Sequence, residues 1–595
     1  MKQILFMVML LGFTLLSAMT KKINHQQDDW EYNASVPASE MLSSGVKQQP
    51  QTSSRALPTM MAAPVAKGIT PTIGMSVGGA KDSKNFEENI KNGYLPKLDS
   101  ITYEGQFYQH YFDTGMQEEC KTLFCPSYSS AKRVNLFSKE EEIFLSVGLN
   151  SGIKANAFHR KKLNLVVVLD ISGSMGGRFD RYFYDPKKPK KSDTQDSDNE
   201  KKIEVATKSM VAMLSHLNDD DRVGVVLFDN NAYLAKPLRL VGLSDKKAIR
   251  DHILELRERG GTNWSAGYKK ALELFKGIDR DPSYENRIIF LTDAMPNRGE
   301  LSKDKLFGLA KKASQEGIHT TFVGVGVDFN TDLVEYVSKT KGANYFSVHS
   351  AKEFRELLDE EFEYMVTPLV YDLRLKLESK GYEIEAVYGS PDAKLATGEV
   401  MYVNTLFPSK QKSGKTKGGV ILLKLKRTGK GKDQGLSLHL SYTDIEGKSF
   451  SNEQKVQLKD NKESYFDNSG IRKAILLSDY VTLMKNWIID ARAGCNDQVK
   501  WIMEDFPSIM KRCMVFPPKR ALYPLVKTWE RSSCALRVSE GYHQLFERFS
   551  DYYRSEMKVL NDDSLNQELS ILEILLKVKP EPFKKEIIDD WKFKQ

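Results

Sequence analysis

The chain has 595 residues, 41% of them hydrophobic and 28% charged, with a formal net charge of +8. That length exceeds what one hydrophobic core organises, so several domains are expected. The composition is that of ordinary globular protein, and basic residues are interleaved with acidic ones along the chain, which excludes a nucleic-acid-binding stripe.

At the N-terminus, Met1-Lys2 precedes an apolar run from Ile4 to Leu16, then Ser17-Ala18 and Lys21-Lys22. Residues 1–19 therefore read as a secretory signal peptide, with an uncleaved anchor as the alternative; the run is short for a membrane span. No other stretch is apolar and long enough to cross a bilayer, so a secreted, periplasmic or cell-surface protein is expected. Residues 20–92 are rich in Gln, Ser, Pro, Ala, Met and Gly and lack hydrophobic periodicity, which reads as a disordered linker. Cys120 and Cys125 are close enough in sequence to close a small disulfide loop, and Cys495, Cys513 and Cys534 share one C-terminal region in which two can pair. Buried free thiols are the alternative.

Residues 93–160 read as a β-rich flank. Ile101 to Phe112 is rich in aromatic and β-branched residues, and Glu142 to Leu149 alternates with period two. Between 161 and 365 the pattern changes to strands alternating with helices. The apolar strands are Leu163–Leu169, Arg222–Phe228, Arg287–Thr292, Thr320–Gly326 and Asn344–His349, and amphipathic helices fall at 201–217, 245–257, 265–276, 303–316, 331–340 and 351–365. This alternation predicts an α/β domain with a doubly wound, mainly parallel sheet. Residues 366–462 return to period two, as in Leu369–Leu377, Gly419–Lys426 and Leu436–Tyr442, and read as a β-sandwich-like domain that can share a sheet with the first flank. From 467 to 595 the spacing becomes helical over Ile471–Ile489, Gly541–Met557 and Leu565–Val578, a C-terminal helical module.

Strand Leu163–Leu169 runs directly into Asp170-Ile171-Ser172-Gly173-Ser174. In a doubly wound fold, the loops at the carboxyl ends of strands build the binding crevice. A sharp turn there faces one carboxylate and two hydroxyls toward a common point, a set of hard oxygens suited to Mg²⁺, or to Mn²⁺ or Ca²⁺. Gly260-Gly261-Thr262 offers a further hydroxyl, and Asp293 follows the Arg287–Thr292 strand.

Asp-x-Ser-x-Ser, a later Thr and an Asp at a strand end, in this order of elements, resemble the metal-ion-dependent adhesion site of von Willebrand factor type A domains. The resemblance implies that Ser172, Ser174 and Thr262 ligate one divalent ion directly, that Asp170 and Asp293 act directly or through water, and that a position stays open for an Asp or Glu of a partner. The wider layout, carried by Arg287–Pro296 and Tyr388-Gly389-Ser390-Pro391, resembles exported bacterial-type proteins called calcium-activated chloride channel homologues; that resemblance concerns architecture and not channel activity.

One departure stands out: residues 176–200 intervene between the serine motif and the next helix. They hold the aromatic cluster Phe179, Tyr182, Phe183 and Tyr184 and then blocks of Lys and of Asp/Glu. The aromatic half is a candidate partner-contacting lid and the charged half a solvated insertion. Asn263, Met295 and Asn297 on the rim loops are further candidate partner contacts, or plain turn residues. No Gly-x-Ser-x-Gly, phosphate loop or His-Glu-x-x-His occurs, so no catalytic residue is assigned. The leading expectation is a non-enzymatic, metal-dependent adhesion protein whose partner is a protein or surface ligand. A scaffold subunit of a membrane-associated complex and an enzyme with an unrecognised hydrolytic site are the alternatives.

Overall fold

The computed structural model describes residues 26–33, 72–180, 182, 200–278, 281–293, 302–329, 339–379, 381–390, 400–428, 435–459, 463–493 and 533–583, with residues 300, 331, 336 and 495. The expected signal peptide, most of the expected helix 331–340, and Phe183, Tyr184, Met295 and Asn297 lie outside the described residues.

The first flank comprises β1 (Thr72–Val77), β2 (Gly79–Ala80), helix α1 (Lys84–Lys91), helix α2 (Tyr103–Tyr108), β3 (Tyr111–Phe112), β4 (Cys125–Val134) and β5 (Glu141–Lys154). The central unit follows with β6 (Lys162–Asp170), α3 (Lys202–Leu214), β7 (Arg222–Phe228), β8 (Ala232–Leu240), α4 (Lys246–Leu254), α5 (Trp264–Leu274), β9 (Tyr284–Thr292), α6 (Lys303–Gln315), β10 (Ile318–Val325), β11 (Asn344–Val348) and α7 (Ala351–Val366). The second flank holds β12 (Val370–Glu378), β13 (Tyr382–Tyr388), β14 (Val400–Ser409), β15 (Gln411–Lys412), β16 (Lys415–Lys417), β17 (Val420–Arg427), β18 (Gly435–Asp444), β19 (Ser449–Gln457) and β20 (Tyr465–Phe466). Helices α8 (Ser469–Arg492), α9 (Glu540–Leu560) and α10 (Asn566–Leu576) complete the chain.

The central sheet has the order β2-β11-β10-β9-β6-β7-β8 and is parallel except for β8, which runs antiparallel to β7. Its middle strands are buried on both faces: Leu165, Val167 and Leu169 enter one core with α3 and α7, and Val166 and Val168 enter another with α5 and α6. Both faces are therefore covered by helices, which is why these strands read as unbroken apolar runs. The edge strand β8 has no such signature. Pro237 interrupts it, as edge strands tolerate.

The two flanks share one ten-stranded sheet, in the order β13-β17-β5-β1-β14-β12-β18-β19, with β4 pairing β5 and β20 pairing β4. Residues 366–462 do not form a sandwich of their own, because β5 and β1 of the first flank sit between β17 and β14. The sheet closes over a single core to which Leu145 and Val147 of β5, Leu423 of β17, Leu375 of β12 and Leu438 of β18 all contribute. Its outer face, through Phe144 of β5, Ala131 of β4 and Leu422 of β17, packs on α8 to α10. Arg133 of β4 pins this packing. It is buried and donates to Asp479 of α8 at 2.6 and 2.7 Å and to Glu142 of β5 at 2.9 Å. The disulfide Cys495–Cys534 ties the end of α8 to the approach to α9, and Cys120–Cys125 closes the loop before β4.

Three expectations need correction. Residues 72–92 are not linker: β1 lies inside the large sheet, β2 pairs parallel to β11, and α1 packs on the central unit. Residues 26–33 are also docked, with Glu31 N–H donating to Ala235 C=O at 2.7 Å and Lys236 paired to Asp29 at 3.0 Å. Finally, the Ile101–Phe112 strand is largely helix α2. The Thr102 hydroxyl caps it by accepting from Gly105 N–H at 3.0 Å, and a local cap overrides aromatic strand preference.

Candidate metal centre

Asp170 is the last residue of β6, and its side chain is fully buried. Its Oδ1 accepts from Ser172 N–H at 2.8 Å, which bends the chain so that the hydroxyls of Ser172 and Ser174 meet at 3.1 Å. Its Oδ2 accepts from Thr292 Oγ1 at 2.6 Å. Thr292 ends β9, which pairs parallel to β6, so Asp293 one residue later arrives beside Asp170.

Thr262 comes from farther away. The loop before α5 is laid against the serine loop by two backbone hydrogen bonds, Arg259 N–H to Ile171 C=O at 2.6 Å and Gly173 N–H to Gly260 C=O at 3.0 Å. Gly260 adopts φ +72°, and a Cβ there would lie 2.8 Å from the Asn230 amide, so this turn requires glycine. Asp229 supports the turn, its Oδ2 accepting from Arg259 Nε at 3.0 Å. Asp170, Ser172, Ser174, Thr262 and Asp293 are all buried at the carboxyl ends of the central strands.

The electrostatics of this cluster are unbalanced. Burial pushes the Asp170 carboxyl up from 3.8 to about 7, and the neighbouring charge of Asp293 adds to it. Asp293 Oδ2 receives the Lys202 ammonium at 3.1 Å, whereas its buried Oδ1 has no hydrogen-bond partner among the described residues. An unsatisfied buried carboxylate oxygen is expensive. A hard cation bound between these oxygens would satisfy it and hold Asp170 ionised, so the residues present fit such an ion. Among the described residues no three His, Cys, Asp or Glu side chains converge, so the donor set here is two carboxylates and three hydroxyls.

A family model described as von Willebrand factor type A domain matches residues 165–296. The central unit is a von Willebrand factor type A domain. Curated relatives share this unit at low identity. They include the uncharacterized protein YfbK of Escherichia coli (23% identical over 217 residues, 36% of this chain and 33% of the relative) and the uncharacterized protein sll0103 of Synechocystis (25% over 220 residues, 37% and 45%). Mouse inter-alpha-trypsin inhibitor heavy chain H2 is 23% identical over 218 residues, 36% of this chain and 20% of the relative. The chain thus spans less than half the length of each. Among solved structures, a von Willebrand factor type A protein from Catenulispora acidiphila aligns over 72% of this chain and all of that one, with 12% identity and a TM-score of 0.39. Proximal thread matrix protein 1 of the mussel byssus, with a zinc-occupied MIDAS motif, aligns over 34% of this chain and 47% of that one, with 19% identity and a TM-score of 0.24.

Of the candidate partner contacts, Phe179, Tyr182 and Asn263 fall within the described residues. Phe179 is buried in the core of the A domain and Tyr182 is buried against α1, where its hydroxyl donates to Asn89 at 3.1 Å and its ring lies 4.8 Å from Tyr94. Neither side chain is displayed for a partner, because each finds apolar cover within the chain. Asn263 caps α5, accepting from Ala266 N–H at 3.2 Å and donating to Asn230 C=O at 3.1 Å. The insertion leaves and returns at one point: Lys202 N–H donates to Gly177 C=O at 2.9 Å, so α3 starts against the serine loop. Sequence reasoning missed Thr292 and Lys202. Thr292 lies one residue before Asp293, a signal that was readable. Lys202 carries no signal that separates it from a surface lysine.

Proposed function

We propose that this is an exported, metal-dependent binding protein. In this reading one divalent cation, Mg²⁺ in the first instance with Mn²⁺ or Ca²⁺ as substitutes, is held by Ser172, Ser174 and Thr262 together with Asp170 and Asp293. The ion leaves a coordination position for an Asp or Glu of a protein or surface partner. The bound ion supplies Lewis-acid attraction for that carboxylate, and the chain's own residues orient it and exclude water. The observation that carries the reading is the fully buried Oδ1 of Asp293, without a hydrogen-bond partner among the described residues, beside an Asp170 carboxyl pushed up to about 7 and a pair of hydroxyls at 3.1 Å. Export is supported by the N-terminal pattern of residues 1–19. Among the described residues no helix is long and apolar enough to cross a membrane, and α8 to α10 are spent on covering the large sheet, which supports a capping role for them over a membrane-docking one.

The test is a pulldown from the cell-surface fraction with the full chain, in Mg²⁺ and in EDTA, comparing wild type with Asp170→Ala. Partners retained only by wild type in Mg²⁺ are expected. An identical set of partners in all conditions refutes the reading.

A further inference from the structure

Lys202 opens α3 and is fully buried. Its Nζ lies 3.1 Å from Asp293 Oδ2 and 2.5 Å from Asp328 Oδ1, and both carboxylates are buried. A lysine in such a place is tolerable only because it is paired, so the three side chains act as one unit. Asp293 belongs to the metal centre, but Asp328 does not. It sits just after β10, on the loop 326–329.

That loop is gripped from outside the A domain. Asn85 Nδ2 donates to the carbonyls of Gly326 at 3.2 Å and Val327 at 3.4 Å, and Asn89 Nδ2 donates to Val327 C=O at 2.9 Å. Both asparagines are buried on α1 of the first flank. From the other side, Val327 N–H donates to Phe179 C=O at 2.9 Å, and Tyr182 closes on Asn89. Gly326 has φ +91°, and a Cβ there would stand 2.7 Å from Lys202 Cε, so the loop is shaped around the lysine. A continuous chain of contacts thus runs from α1 through the loop to Asp328, Lys202 and Asp293.

We infer that Lys202 is a positioning residue for the metal centre, and that its ammonium, shared between Asp293 and Asp328, couples cation binding to the seating of α1 on the loop 326–329. The inference rests on the metal reading above. By occupying Oδ2 of Asp293, the ammonium fixes that carboxylate, and Oδ1 is the oxygen that would face a bound ion. With a divalent cation held by the site, the Asp293 carboxylate would have less negative charge to offer Lys202, and the ammonium would lean toward Asp328. The loop that carries Asp328 would tighten, and the two asparagines of α1 are seated on that loop.

The experiment uses the full chain and Mn²⁺ as the probe. Calorimetry gives the Mn²⁺ dissociation constant, and hydrogen exchange follows the amides of residues 84–91 with and without Mn²⁺. Removing a group that orients a metal ligand typically weakens binding about 10- to 100-fold, so Lys202→Met is expected to weaken Mn²⁺ at least about tenfold and Lys202→Arg to recover most of that loss. Mn²⁺ is expected to slow exchange at 84–91 in wild type. In Asp328→Asn the slowing disappears while Mn²⁺ affinity stays within about threefold, because that residue is not a ligand. A Lys202→Met chain that binds Mn²⁺ within about twofold of wild type overturns the positioning role. Exchange at 84–91 that ignores Mn²⁺ in wild type, or still responds in Asp328→Asn, overturns the coupling. Should Lys202→Met fail to fold, Lys202→Arg and Asp328→Asn decide by the same exchange readout. Wild type that binds no Mn²⁺ refutes the metal reading itself and this inference with it, an outcome distinct from the others.

Discussion

Asp170→Asn has opposite effects with and without a divalent cation. The asparagine keeps an acceptor for Ser172 N–H and stays within reach of Thr292, so packing is conserved. In the metal-free chain the native carboxyl is pushed from 3.8 up to about 7 by burial and by Asp293. A raised carboxyl favours the protonated folded form. As pH rises from about 4 to about 7, the unfolded chain releases this proton and the folded chain does not, so stability falls across that window and is flat above it. A rise from 3.8 to about 7 corresponds to a ceiling of about 4 kcal/mol, at about 1.36 kcal/mol for each tenfold change in acidity. Asparagine avoids this cost. In EDTA near pH 8 the variant should be the more stable protein by up to about 4 kcal/mol, and near pH 5 by about half of that or less. At roughly 2–4 °C per kcal/mol for a domain of this size, the difference is several degrees of Tm in a circular-dichroism melt. Mg²⁺ works the other way: at 100 times its Kd it adds about 2.7 kcal/mol to wild type and nothing to the variant, which closes most of the gap near pH 8 and reverses the order near pH 5. A variant less stable than wild type in EDTA near pH 8, or stabilised by Mg²⁺ as much as wild type, refutes the reasoning.

Tyr108→Phe removes the hydroxyl that donates to the buried Glu361 at 2.8 Å, leaving that carboxylate to Lys417; a loss of about 1–3 kcal/mol in urea unfolding is expected. Arg133→Met strands Asp479 and leaves Glu142 to Lys424 alone, and about 3–5 kcal/mol should be lost, with faster protease cleavage in α8. Cys534→Ser opens a bridge spanning 39 residues, which loop-closure entropy values at about 4 kcal/mol; the variant should melt earlier than wild type in non-reducing buffer, and the gap should close in excess reductant.

The A domain was readable because strands such as Leu163–Leu169 are covered on both faces and write that burial directly into an apolar run. The candidate donors Asp170, Ser172, Ser174 and Asp293 stood out because each lies at or just after the end of such a strand, and Thr262 because a Gly-Gly turn presents it before α5. What lay beyond one segment was harder to read. Tyr182 has the pattern of a displayed aromatic because its cover, Tyr94 and Asn89, lies about ninety positions earlier, in and beside a stretch with the composition of a linker, and Phe179 because the core that buries it is assembled from distant strands and helices. That stretch conceals its strand because β1 is short, contains Gly74 and is buried at every residue after Thr72, so no alternation marks it. The asparagines of α1 have the composition of solvated residues, yet their amides are the donors that hold the loop 326–329. Lys202 reads as one lysine in a Lys-Lys pair, and only the tertiary fold sets it between two carboxylates.

The way the A domain is mounted has a mechanical consequence. Residues 155–161 bring the chain from β5 into β6, and residues 367–369 return it from α7 to β12. Both crossings lie at the end opposite Asp170, since β6 runs from one end of the sheet to the other and Asn344, at the start of β11, donates to Met365 C=O near the end of α7 at 2.9 Å. A third tie is the step from β1 in one sheet to β2 in the other. A tug on a ligand held at the metal end would therefore not stretch a tether. It would pass down the domain and divide among three strands of one sheet, β5, β1 and β12, so that the sheet and not a single linker takes the load.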